Sequence, residues 1–146
     1  IPGDNNHPAA GITPILEMTG DADIIIPYVI NRGTRTPIRR FLSTGFVWSL
    51  NFLFGHNITY YNGIVMHRKD LLESAAVETA GFAYQAEAII KLLRRGASYA
   101  EVGVVISGKD EKGSNAFRFR NVVAVVETVL RLLYNKLGWQ DRRLKR

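Results

Sequence analysis

The chain contains no cysteine, which excludes a disulfide scaffold, a cysteine zinc site and thiol catalysis. Its only histidines, His7, His56 and His67, are not spaced as zinc ligands. No Walker loop and no serine-hydrolase elbow is present. The most apolar run, Phe41 to Phe54, falls short of the about 20 residues that cross a bilayer. Acids are missing from one long stretch: residues 24–69 hold Arg32, Arg35, Arg39, Arg40, Arg68 and Lys69 and not one Asp or Glu. Internal repeats and low-complexity tracts are absent too. The opening Ile1-Pro2-Gly3-Asp4 has no methionine and no signal-peptide pattern, so a piece of a longer chain is expected.

What remains is domain-sized and globular in composition: 146 residues, 47% hydrophobic and 22% charged, with net charge +6. Acids dominate residues 1–23 and bases dominate 136–146, so those ends offset each other and the excess sits in the middle. A short helix is predicted from Pro8 to Met18, ended by Gly20, then a buried strand over Asp23–Val29. A helix is predicted over Ile38–Phe54, and a second strand over Tyr60–His67. Asp70 is expected to cap a helix that runs to Ala76. An amphipathic helix spans Phe82–Arg95, closed by Gly96, and a β-branched strand spans Tyr99–Ile106. A polar loop over 108–114 and a long helix from about Phe119 to Leu137, with Glu127 and Arg131 one turn apart, complete the pattern. Helices alternating with strands give an α/β or α+β class.

Several residues could carry chemistry. Asp4, Asn6 and His7 gather oxygen and nitrogen donors beside a helix start, which on composition reads first as an Asx turn that caps the helix and otherwise suits a hard cation such as Mg²⁺ or Mn²⁺. Arg39 and Arg40 lead an uncharged aromatic helix. They fit a wet helix start or an anionic lipid surface. The aromatic set Phe41, Phe46, Trp48 and Phe52 fits core packing or a helix lying on lipid. Glu87 reads as an exposed carboxylate or as a group orienting an acceptor oxygen. Lys109, Lys112 and Ser114 read as a surface turn or as a diphosphate clamp. The basic tail lacks a nucleic-acid-binding module, so no nucleic-acid partner is expected.

Pro-Gly-Asp-Asn-Asn-His-Pro at 2–8 resembles the metal motif of family 2 glycosyltransferases, especially those acting on polyprenyl phosphates. Asp4 matches the second aspartate of that motif and Asn6 its metal-contacting glutamine, while Pro2 replaces the first aspartate. The resemblance continues in order through Asp21–Ile26, where Pro27 replaces an arginine. It runs on through Ile38–Gly45, Tyr60–Gly63, Gly81–Glu87, Glu101–Lys109 and Gly113–Asn115.

The resemblance implies an α/β chain that is the C-terminal portion of a GT-A fold, with a mixed sheet, flanking helices and an interface helix. Residues 1–117 would form that half-domain, and 118–146 a long helix with a basic tail. It implies transfer of a sugar, with inversion, from a nucleotide-sugar donor to a polyprenyl phosphate or other membrane-associated acceptor. Asp4 and Asn6 would hold Mg²⁺ or Mn²⁺, Arg39 and Ser43 the acceptor phosphate, and Lys109 and Ser114 the donor diphosphate, with Glu87 the weak catalytic candidate. Phe41, Phe46, Trp48 and Phe52 would meet the membrane, giving a cytoplasmic protein peripheral to the inner face. The N-terminal nucleotide-binding half of the same domain would be its partner. The rival expectation is a non-catalytic membrane- or partner-binding module derived from such a domain.

Overall fold

The structure, a computed structural model, describes residues 9–31, 37–79, 83–105, 123 and 126–134, except the side chains of Ile38 and Arg39. The elements are α1 (Ala9–Glu17), β1 (Ile24–Val29), α2 (Pro37–Phe54), β2 (Met66–His67), α3 (Lys69–Ser74), α4 (Tyr84–Leu93) and β3 (Tyr99–Val104). Residues 126–134 are helical again, and are termed α5. The protein is thus a mixed α/β chain.

Among the described residues three strands lie in the order β2-β1-β3, with β1 parallel to β3 and antiparallel to β2. Alternation along β1 divides the apolar groups between two layers. Ile24 and Ile26 face a core built with Leu50 and Phe54 of α2, Ala86, Ile89 and Ile90 of α4, and Leu132 of α5. Ile25 faces the other way, onto Ile15 of α1 and Val104, with Met66, Ala100 and Val102 around them. The register sets Ile25 opposite Ala100 and Ile26 opposite Glu101, so β3 splits its side chains in step with β1. Each fully buried isoleucine contributes about 1.5–3 kcal/mol.

The predicted strand over Tyr60–His67 shrinks to Met66–His67, and Pro27 supplies the reason. Ile24 and Ile30 donate their N–H groups to Ser98 and Val104, toward β3. Alternation turns the nitrogen of position 27 toward β2, and proline has no proton there. The ladder therefore cannot extend past Ile25. Beyond it Gly63 lies directly on Pro27, where an added Cβ would stand 2.7 Å from the Pro27 carbonyl oxygen. Backbone cannot yield as a side-chain tip does. Gly63→Ala is expected to cost about 1–3 kcal/mol in urea unfolding, as overpacking does; an unchanged midpoint would show that the loop moves freely.

Helix boundaries follow their end chemistry. Gly20 and Gly96, at φ 99° and 90°, close α1 and α4 in the left-handed region that glycine enters without strain. Asp70 does not cap α3. Arg68 holds that position, and Asp70, in the first turn, accepts Arg68 Nε and Nη2 at 2.8 and 2.9 Å. An acid there also meets the positive end of the helix dipole. Arg68 Nη1 reaches Asp23 at 2.8 Å, and Asp23 accepts the N–H and hydroxyl of Ser98 at 2.9 Å each. The Ser98 hydrogen bonds, with Arg68 adding its charge, hold the Asp23 carboxyl below its ordinary range. This clamp ties the starts of β1, α3 and β3 together.

Candidate functional site: an exposed aromatic helix face and a buried carboxylate

Helix α2 is apolar on two opposite sides. Leu50 and Phe54 are buried in the core, with Phe46, Val47 and Leu53 packed beside them. Phe41, Gly45, Trp48 and Phe52 recur at steps of four, three and four, which places them together on the far side. Phe41, Trp48 and Phe52 are 78%, 65% and 73% exposed. Trp48 and Phe52 stack with ring centroids 5.5 Å apart and planes 9° from parallel. Phe46, grouped with these residues from sequence, turns inward and meets Tyr61 edge-on at 6.4 Å. No acid occupies the first turn of α2, and Arg40 there is exposed.

The inner side of α2 is fastened through Asn51. Its amide donates to Ile58 O at 2.9 Å, and its carbonyl accepts Ile58 N–H at 3.1 Å and the Tyr61 hydroxyl at 2.9 Å. Burial, with Tyr99 and Glu101 adding to it, pushes the Tyr61 hydroxyl pKa well up, so it stays a donor. Glu101 of β3 accepts Thr59 N–H at 2.7 Å and the Thr59 hydroxyl at 3.1 Å. The turn after α2 is thereby held onto the sheet, and the outer aromatic face is presented from a rigid support.

Glu87 is neither the exposed carboxylate nor an open catalytic group. Its side chain is 0% exposed and lies 2.7 Å from Lys91 and 3.0 Å from Arg131. The N–H groups of Glu78 and Thr79 donate to it at 3.1 and 3.0 Å, and the Thr79 hydroxyl donates as well. Burial pushes its pKa up, but Lys91, Thr79 and the two backbone donors outweigh that and bring it to about 2. Both carboxylate oxygens are thus already engaged as acceptors within the protein. Arg131, one turn from Glu127 in the sequence, spans to Glu78 and Glu87.

The Glu87–Lys91 half of the cluster has a sequence signal in its one-turn spacing. Thr79 and Arg131 have none, since both are distant in the chain. Of the other residues expected to form the site, Ser43 is half-buried, on the side of α2 away from the exposed rings. Arg39 lies in the first turn of α2 with its side chain outside the described residues. Asp4, Asn6, Lys109, Lys112 and Ser114 lie outside them as well. Among the described residues there is no group of three metal-ligating side chains, and no helix is long and apolar enough to cross a membrane.

His67 on β2 has a buried Nδ1 with no hydrogen-bond partner among the described residues, and burial lowers its pKa from 6.5. The unfolded chain therefore binds the proton more readily. Stability is full above about pH 6.5 and falls as the pH drops below it toward the folded-state value. His67→Gln should flatten that decline in urea titrations between pH 7 and 5; an unchanged slope would assign the decline to other groups.

No protein-family model, curated protein or solved structure matches the chain. The likeness to family 2 glycosyltransferases rests on the sequence motifs, and the fold defines a mixed α/β protein.

Proposed function

We propose that this chain works at an anionic membrane surface as the acceptor side of a GT-A-type glycosyltransferase, taking a sugar from a nucleotide donor to a lipid phosphate. The observation that carries the reading is the outer face of α2, where Phe41, Trp48 and Phe52 stand in water on a helix already fastened by its inner face. Each ring would recover about 2 kcal/mol on leaving water, and Arg40 at the same end favours an anionic headgroup.

In this reading the outer face of α2 lies along the headgroup region, peripheral to the inner face of the membrane, and the acceptor phosphate passes the first turn of α2 to reach Arg39 and Ser43, the latter on the side away from the rings. Lys109 and Ser114 bind the donor diphosphate. Asp4 and Asn6 present hard oxygen donors that suit Mg²⁺ or Mn²⁺, and such an ion, when bound, neutralises charge on the leaving diphosphate. Glu87 takes no part in proton transfer. An acceptor phosphate oxygen is already ionised and needs no base, so direct displacement with inversion proceeds without one.

The closure of Glu87 favours a second reading, a non-catalytic membrane-binding module with the same α2 contact. Assaying the full-length protein with a panel of nucleotide sugars, polyprenyl phosphate and Mn²⁺ separates the two. Sugar transfer supports the enzyme; vesicle binding without turnover of any donor supports the module. Arg39→Ala is expected to weaken binding to polyprenyl-phosphate vesicles more than Lys69→Ala, whose residue is 88% exposed and pairs only loosely with Glu73 at 3.7 Å. Equal losses would remove the phosphate role of Arg39.

A further inference from the structure

We infer that Asn62-Gly63 is a site of spontaneous covalent modification, where the Asn62 amide is lost through a cyclic imide, and that the isoaspartyl product loosens this loop from β1. The inference stands apart from the membrane reading and rests on the segment between α2 and β2. Asn62-Gly63 is the one Asn-Gly pair in the chain. The reaction needs a backbone nitrogen free to attack, an asparagine side chain free to turn toward it, and little bulk on the residue that follows.

All three meet here. Asn62 is exposed, in a bend outside the helices and strands. Among the described residues neither its side chain nor the Gly63 N–H makes a hydrogen bond. Gly63 has no Cβ to shield its nitrogen. The two asparagines before it in the chain do not meet these conditions. Asn57 precedes β-branched Ile58, whose N–H is already donated to Asn51 at 3.1 Å. Asn51 precedes Phe52 inside α2, and its own amide is held by Ile58 and Tyr61.

The chemistry consumes only water and involves no oxidant. The Gly63 nitrogen, deprotonated by base, bonds to the side-chain carbonyl carbon of Asn62. That carbon releases its own amide nitrogen, which takes up a proton and leaves as ammonia. Water then adds to one of the two imide carbonyls and breaks its bond to the Gly63 nitrogen. Opening at the main-chain carbonyl sends the chain through the former side chain and adds one carbon to the main chain. Opening at the other carbonyl gives an ordinary aspartyl residue. Either product puts a carboxylate into the stretch 24–69, which otherwise holds none.

The surroundings treat the two products differently. On one side Tyr61 is fully buried and donates its hydroxyl to Asn51 at 2.9 Å. On the other, Gly63 lies so close to Pro27 that a Cβ would stand 2.7 Å from its carbonyl oxygen. A carboxylate on the exposed side chain of position 62 meets no obstacle. An extra main-chain atom between two held neighbours must drive Gly63 into Pro27 or lift it away.

The test is to hold the folded full chain in warm, mildly alkaline buffer and map its peptides by mass spectrometry, with an isoaspartyl-specific methylation assay alongside. The peptide with Asn62 should gain the amide-to-acid mass difference and the isoaspartyl signal, and those with Asn51 and Asn57 should not. Asn62→Gln, whose longer side chain closes the ring poorly, should abolish the signal and keep the parent's urea midpoint. The isoaspartyl form, separated by ion exchange, should unfold at a midpoint lower by roughly 1 M urea. Asn62→Asp, the ordinary product, should unfold like the parent. An Asn62 that reacts in urea but stays intact in the folded chain would overturn the inference, because the packing on Pro27 would then forbid the ring. Modification spread evenly over Asn51, Asn57 and Asn62 would overturn it too, as would an isoaspartyl form as stable as Asn62→Asp.

Discussion

Replacing Glu87 with alanine should lower the unfolding free energy by about 3–5 kcal/mol, the range for stripping one partner from a buried ion pair. As ionic partner among the described residues, Lys91 and Arg131 would keep only the exposed carboxylate of Glu78, 3.5 Å from each, and the N–H groups of Glu78 and Thr79 would lose their acceptor. Arg131→Ala should cost less, about 1–2 kcal/mol, because Lys91 still balances the carboxylate. Urea unfolding at pH 7 measures both. Equal and small losses would mean that the cluster is solvated and contributes little.

The same carboxylate has a pH signature. Its pKa falls from 4.5 in the ordinary state to about 2 in the fold. The stabilisation is therefore complete above about pH 4.5 and is lost as the pH falls from there through the folded-state value. Glu87→Gln should remove most of the stability change across that acid window, and an unaltered slope would place the acid sensitivity elsewhere.

The double variant Trp48→Glu/Phe52→Glu should lose vesicle binding by about a thousandfold, taking roughly 2 kcal/mol for each ring withdrawn from the bilayer. Its folding stability should change by only about 1 kcal/mol, since the two rings touch each other on an exposed face and the core lies on the opposite side of α2. Phe46→Glu should do the reverse and unfold the protein, because Phe46 packs against the core cluster and Tyr61. If the double variant binds vesicles like the parent, the outer face of α2 serves something other than a membrane.

Much of the fold was legible from local chemistry. The isoleucine run of β1, the amphipathic pattern of α4 and the glycines that close α1 and α4 need only near neighbours to declare themselves. The aromatic helix was legible as a helix, but periodicity could not say which rings were inward, since both of its sides are apolar. The neighbours decided: Tyr61, Ile58 and the sheet took the side bearing Phe46, Leu50 and Phe54, leaving Phe41, Trp48 and Phe52 outside. β2 was overestimated because its length depends on a partner. Pro27, 39 residues before Met66 in the chain, denies the ladder its next hydrogen bond.

Glu87 shows the same division most sharply. Its charge, its helix and its one-turn spacing from Lys91 are properties of the sequence. Its burial and its second cation are not. They arise when α5 brings Arg131 across 44 residues and the segment after α3 brings Thr79 and two backbone N–H groups. By itself the sequence determined an α/β chain of domain size, with a basic, acid-free middle and an aromatic helix within it. The tertiary structure alone decided that the Glu87 carboxylate is buried against Lys91 and Arg131, and that α2 keeps an apolar face in water. Periodicity records which residues can share a side; only packing selects which side is covered.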